Sequence, residues 1–245
     1  MVRWGMSFIA CLWKSILAIW QRSDATLPRL STQTLTFQRR SRGHAVTTLP
    51  LWHWTARHDH IRSDVSSYYL LAERVLIDPK IPPEGLGWFE QHGTPETVLL
   101  SNRHHDRDSW RLHEAFGCSV HCISNGVYEL DGRGPVTSFE FGDDLPGGVT
   151  AYEVDAICPD ETALYIPAHK ALACADGVVR WPGGGDELVF VPDFLMDEPE
   201  KTKQGLREAY GRLLALDFEL LLLAHGAPVV GGGRDALSAF LGIRA

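Results

Sequence analysis

Long basic runs are missing from this chain, and its charge balance is acidic: 23 Lys and Arg against 31 Asp and Glu, a formal net charge of -8 and a pI near 5.7. A surface built to neutralise a phosphate backbone is argued against on that ground, and no nucleic-acid partner is expected. Cysteine is scarce and odd in number. Cys11, Cys118, Cys122, Cys158 and Cys174 follow no regular spacing, so a disulfide framework is not indicated, and the expectation is a reducing, cytoplasmic compartment. Cys118 and Cys122 stand four apart, but no second pair completes a zinc-ribbon pattern. Neither glycine-rich stretch, 183–185 or 231–233, is followed by Gly-Lys-Ser/Thr, which makes them turns and not phosphate-binding loops. Phe8–Trp20 is apolar apart from Lys14 and Ser15, yet it falls short of the roughly 20 residues that span a bilayer. No clear small-residue cleavage site follows it, so it is read as an extension and no transmembrane segment is expected. No internal repeat of short period is visible.

What is present is an ordinary globular composition, 44% hydrophobic and 22% charged over 245 residues, with enough chain for one large or two small cores. Residues 21–45 are rich in Ser, Thr, Gln and Arg without periodicity, like a linker. The expected organisation is an N-terminal extension over 1–46, loosely packed or disordered, and a folded domain over 47–245. Its first half reads as a strand over Pro50–Thr55, a hairpin of Tyr68–Leu71 and Arg74–Ile77, and a helix from Pro82-Pro83 to His92. A buried strand over Val98–Leu100, a helix over Arg107–Phe116 and a strand over Cys118–Cys122 follow. Later come short β-type runs at Val136–Phe141, Val149–Ile157, Thr162–Ile166, Ala171–Cys174, Gly177–Arg180 and Leu188–Val191. Helices are expected over Glu198–Leu216 and Asp235–Leu241, with a buried strand Phe218–Leu223 between them.

Chemistry concentrates where Val98–Leu100 stops. Ser101-Asn102-Arg103-His104-His105-Asp106-Arg107-Asp108 is a knot of imidazole, carboxylate and guanidinium at the carboxyl end of a strand, where ligands gather in sheet-and-helix folds. Three other polar turns end or begin strands: Pro159-Asp160-Glu161-Thr162, Ala175-Asp176-Gly177 and Ala224-His225-Gly226. Imidazole nitrogen and carboxylate oxygen are usual ligands of zinc and harder divalent ions. A salt-bridged helix start is the plain reading of the same knot. The remaining histidines are read as structural: His113 and His121 on a helix surface and a strand end, His169 solvated in a turn.

The order of these turns resembles the metallo-β-lactamase fold superfamily. Its hallmark is a strand followed by Thr-His-x-His-x-Asp-His, then Pro-Gly-His-Thr, then a Gly-Asp after a strand, then a final strand ending in Gly-His-Gly. The resemblance spans about 48–245 and implies a four-layer αββα sandwich. Laid on this chain, Ser101 takes the motif's Thr, Asn102 the first His, His104 the second, Asp106 the Asp and Arg107 the third His. Glu161 falls on the later His, Asp176 on the Asp shared by two metals, and His225 on the last His.

The resemblance therefore implies metal ligands among His104, Asp106, Glu161, Asp176 and His225. Asp106 and Arg107 would be catalytic, and Asn102 and His105 would contact substrate; a local shift could instead bring His105 into the ligand set. A guanidinium offers no lone pair, so Arg107 withdraws one ligand and is expected to pair with Asp106 or Asp176. One divalent metal at most is implied, zinc first, with manganese or iron as alternatives. The implied chemistry is hydrolysis of an ester, lactone or thioester. The other reading is a non-catalytic member of the fold, without a metal, acting as a binding or scaffold module. Neither substrate nor oligomeric state can be read from the chain.

Overall fold

The computed structural model describes residues 32–35, 50–181 and 185–243. Two sheets face each other. The first has seven strands in chain order: β1 (Gln33–Leu35), β2 (Leu51–His58), β3 (Ser63–Leu70), β4 (Val75–Ile77), β5 (Thr97–Leu99), β6 (Ser119–Ile123) and β7 (Val136–Phe139). The second has six in reverse order: β13 (Val229–Val230), β12 (Leu220–Leu223), β11 (Ala171–Cys174), β10 (Thr162–Ile166), β9 (Val149–Glu153) and β8 (Asp144–Leu145).

The apolar periodicity explains the layers. In β12 all four leucines are buried. Leu220 and Leu222 join the core between the sheets, while Leu221 and Leu223 pack with Leu206, Tyr210 and Leu237 of α3 (Pro199–Leu213) and α4 (Gly233–Leu241). A strand covered on both faces loses the polar alternation of a half-exposed one, hence the unbroken run of leucine. Helices α1 (Gly87–His92) and α2 (Ser109–Phe116) supply Trp88, Phe89 and Leu112 to the core of the first sheet. The result is a mixed α/β sandwich of two sheets with helices outside.

Parallel pairing places the site. β4, β5, β6 and β7 run parallel to one another, as do β11 and β12. Their carboxyl ends therefore share one edge of the sandwich, where Asp78, the 101–108 turn, Asp176 and His225 emerge.

Several expectations change. The strands expected at Gly177–Arg180 and Leu188–Val191 reduce to one antiparallel bridge, Val179 to Val189. The helix expected from Arg107 starts at Ser109, because Arg107 holds φ 38°, a left-handed value that no α-helix continues. α1 starts at Gly87, since Pro82–Gly85 closes a turn with Gly85 N–H donating to Pro82 O. His169 is not solvated: it is buried, with Nε2 3.1 Å from both carboxylate oxygens of Glu73. Within the stretch read as an extension, Gln33–Leu35 pairs antiparallel with Leu51–His53 and Leu35 is buried. The sheet thus begins before residue 47; the apolar stretch Phe8–Trp20 lies outside the described residues.

Candidate metal centre

Five segments converge at this edge, and buried carboxylates organise them. Asp78 follows β4 and is 2% exposed. Its Oδ1 accepts the Ser101 backbone N–H at 2.8 Å, and its Oδ2 accepts the Ser101 hydroxyl at 2.5 Å. This ties the end of β4 to the end of its parallel neighbour β5. Residues 103–105 then form a single 3₁₀ turn capped by Asn102, whose Oδ1 accepts the His104 N–H at 2.9 Å. On so tight a turn, consecutive side chains point apart. His105 turns inward and is 4% exposed, while His104 lies on the rim with Nδ1 4.0 Å from Glu129 Oε2.

His105 Nδ1 donates to Asp78 Oδ2 at 2.9 Å, and its Nε2 lies 3.3 Å from Asp176 Oδ1. The same Asp176 oxygen is 3.1 Å from His225 Nε2. Asp176 Oδ2 accepts from Asn102 Nδ2 at 2.9 Å. One atom from each of His105, Asp176 and His225 lies within 4.8 Å of the others.

The turns that carry these groups are braced. At Gly177 a Cβ would lie 2.7 Å from Glu161 Oε1 and 2.9 Å from Tyr210 Cε2, so only glycine fits after Asp176. The His225 turn is clamped by β3: Ser66 N–H donates to Ala224 O at 2.9 Å, Ser66 Oγ to Gly226 O at 2.8 Å, and Tyr68 OH to Leu223 O at 2.8 Å.

Electrostatics follow from the geometry. Burial works against a charged His105, but the Asp78 and Asp176 carboxylates outweigh it and raise its pKa to about 9. Burial likewise opposes ionisation of Asp176, yet His105 and His225 hold it well below the ordinary carboxylate range. Burial pushes His225 down, against the pull of Asp176.

The residues picked out from the sequence divide. Asp176, His225 and His105 come together. Glu161 does not join them: it is fully buried, its Oε1 accepts the Gly177 N–H at 2.6 Å, and it braces the turn behind Asp176. His104 stays on the rim. Asp106 faces away, accepting from Arg133 Nη1, from Trp110 Nε1 at 3.3 Å and from the Arg107 N–H at 3.1 Å. Asn102 is wholly buried and meets Asp176. Arg107 does not form the expected ion pair. Its guanidinium donates to three backbone carbonyls, Ser66 O and Asp78 O at 2.6 Å and Ala224 O at 3.4 Å. Asp78, just past the strand expected over Arg74–Ile77, was missed from the sequence. Arg103 was missed too: it pairs with buried Asp160 and, through Nε at 2.9 Å, with Glu129.

No family model matches the sequence, and neither does any curated protein. Solved structures do. A flavoprotein from Thermotoga maritima superposes with a TM-score of 0.63 at 14% identity, over 89% of this chain and 62% of its own. The metallo-beta-lactamase DIM-1 gives 0.59 at 10% identity, over 86% and 97%. A metallo-beta-lactamase family protein from Thermus thermophilus gives 0.54 at 14% identity, over 78% of each chain. The chain has the metallo-β-lactamase fold.

It spans 62% of the flavodiiron core from Synechocystis sp. PCC6803, so that likeness covers only part of the larger protein. The converging triad uses His105 and not the adjacent His104 that the resemblance picked out. The donor set suits a metal. Two imidazoles and one carboxylate match the three-ligand sets of catalytic zinc, and the same set holds non-haem iron. Donors about 2.1 Å from a tetrahedral ion lie roughly 3.4 Å apart, close to the 3.1 and 3.3 Å measured from Asp176 Oδ1. The Asp78 carboxylate on His105 Nδ1 is the partner a ligating histidine normally has, and it leaves Nε2 as the donor atom. No helix among the described residues is long and apolar enough to cross a membrane.

Proposed function

We propose that this protein binds one divalent metal through His105, Asp176 and His225 and uses it to hydrolyse an ester, lactone or thioester. The observation that carries the reading is the triad itself: three donor atoms within 4.8 Å, at the carboxyl ends of strands from both sheets. A divalent ion there would lower the pKa of a bound water and polarise a substrate carbonyl. Zinc fits the set first, and iron or manganese are accepted alternatives. Around it the protein supplies fixed groups. Asp78 orients His105, Asn102 holds Asp176, and half-exposed His104, backed by Glu129, stands on the rim where a substrate meets the site.

Metal analysis and calorimetry on protein purified without chelator test this. About one equivalent is expected in the wild type and in His104→Ala, and its loss is expected in His105→Ala and Asp176→Ala. Less than about a tenth of an equivalent in the wild type sinks the reading. Loss in His104→Ala with retention in His105→Ala would move the ligand role back to the motif histidine. Turnover of p-nitrophenyl esters and thioesters by the loaded protein, abolished in Asp176→Ala, tests the hydrolytic part.

A non-catalytic role in binding is the second reading. It is favoured by the chain Asp78–His105–Asp176–His225, in which each carboxylate already has an imidazole partner. Wild-type protein that takes up no metal and stays folded is its expected result.

A further inference from the structure

We infer that Asn102 is a positioning residue that fixes which oxygen of Asp176 a metal can reach, and withholds the other oxygen from a second ion. The inference rests on the metal-binding reading above and adds to it the residue that aims Asp176.

Asn102 is 0% exposed, so its amide serves the interior and not a substrate. Its orientation is determined. The His104 backbone N–H can only donate, and it lies 2.9 Å from the carbonyl end, so Oδ1 occupies that side. The NH₂ end is left facing Asp176, where Nδ2 donates to Oδ2 at 2.9 Å. Asp176 is divided as a result. Oδ1 faces His105 Nε2 and His225 Nε2 at 3.3 and 3.1 Å, while Oδ2 carries an amide donor. A carboxylate that bridges two ions through both oxygens needs one for each, and one that bridges through a single oxygen still needs further ligands at the second ion, where Asp106 faces away and Arg107 has no lone pair. Here the second oxygen is occupied by a hydrogen that no cation can replace without displacing the amide. The position beyond it gains no help from Arg107, which lacks a lone pair.

One side chain thus performs two linked tasks. Its carbonyl caps the 3₁₀ turn that aims His105 inward, and its amide nitrogen aims Asp176 Oδ1 at the same point. Both donors lose their alignment together if it is removed.

The test is cobalt(II) titration of the chelator-treated full chain, read by absorption and calorimetry, for wild type, Asn102→Ala and Asn102→Ser. Wild type is expected to bind one ion. Asn102→Ala is expected to bind about 10- to 100-fold more weakly. Its visible absorption should also change, because a freed Asp176 engages through both oxygens. Asn102→Ser keeps a donor on a shorter arm and should fall between. Thermal melts of the metal-free proteins are read alongside. A role in folding alone lowers the melting temperature but leaves the folded fraction with wild-type affinity and spectrum, and that result overturns the inference. Two ions bound by the wild type overturn it as well. Wild type that binds none overturns it together with the metal-binding reading, whereas wild type that binds one ion with Asn102→Ala unchanged overturns it alone. If Asn102→Ala does not fold, Asn102→Ser decides: wild-type affinity and spectrum reject the inference, and weaker binding with an altered spectrum supports it.

Discussion

Arg107→Ala is expected to destabilise the protein by on the order of 3 kcal/mol or more, and Arg107→His is expected to do the same without adding a second metal equivalent. The guanidinium reaches Ser66 O at the middle of β3, Asp78 O at the end of β4 and Ala224 O at the end of β12, so it joins both sheets at the edge that carries the site. All three residues are at most 2% exposed. Truncation removes a charged donor from each in a place water reaches poorly, although Asp78 O keeps the Ser67 hydroxyl and Ala224 O the Ser66 N–H; each hydrogen bond to a charged group contributes about 1.5–3 kcal/mol. The cost of burying the guanidinium itself offsets part of that sum. For a chain of this size each kcal/mol moves the melting point by about 2–4 °C, so a fall of roughly 10 °C should be visible by calorimetry. Arg107→Lys is expected to fall between, because an ammonium is a point donor and cannot span three acceptors in the fork geometry of arginine. A melting point within about 2 °C of wild type for Arg107→Ala would show that these carbonyls do not depend on it.

The same residue shows where sequence reasoning reaches its limit. That Arg107 cannot ligate a metal follows from its chemistry alone. That it serves backbone carbonyls and not the neighbouring carboxylates is visible only in the fold, where Arg107 stands at φ 38° and its guanidinium reaches β3 and the end of β12. No side-chain pattern encodes a backbone acceptor 117 residues away. The sheets were easier. Thr162–Ile166 and Ala171–Cys174 are strands over the residues expected, because central strands buried on both faces print as mostly apolar runs. Two-residue strands such as β8 and β13 leave no such print.

In the site, Asp176 and His225 were legible because each stands two residues past a buried strand, after an alanine and before a glycine. The choice between His104 and His105 was not. They are adjacent on a 3₁₀ turn, and spacing cannot say which of two neighbours faces in. Asn102 decides it by capping the turn. Asp78 was hidden for a related reason: its role comes from a contact with Ser101, on the neighbouring parallel strand, 23 residues along the chain.

Glu161 leads to the second large effect, a dependence of stability on pH. The resemblance expected it among the metal ligands, yet it lies beneath Asp176 with no exposure, and its Oε2 has no hydrogen-bond partner among the described residues. Burial, then the nearby Asp176 carboxylate, raise its pKa to about 8, against the pull of the Gly177 N–H. A carboxyl whose pKa is higher in the folded state than in the unfolded one binds more protons when folded. Its contribution to stability is therefore fully present below about pH 4.5 and is lost as pH rises through about 8. Glu161→Gln keeps the shape and the acceptor for Gly177 N–H but cannot ionise. In chelator-treated protein the variant should gain on the wild type by on the order of a few kcal/mol as pH moves from about 4.5 to about 8, with the difference levelling off above that. Denaturant titrations of both proteins at several pH values measure the gap directly. A gap that stays constant across the range would mean that Glu161 is already ionised in the folded state. Buried Oε2 would then have a donor that stabilises its charge, and the turn holding Asp176 would be braced by an ionised carboxylate instead of a neutral acid.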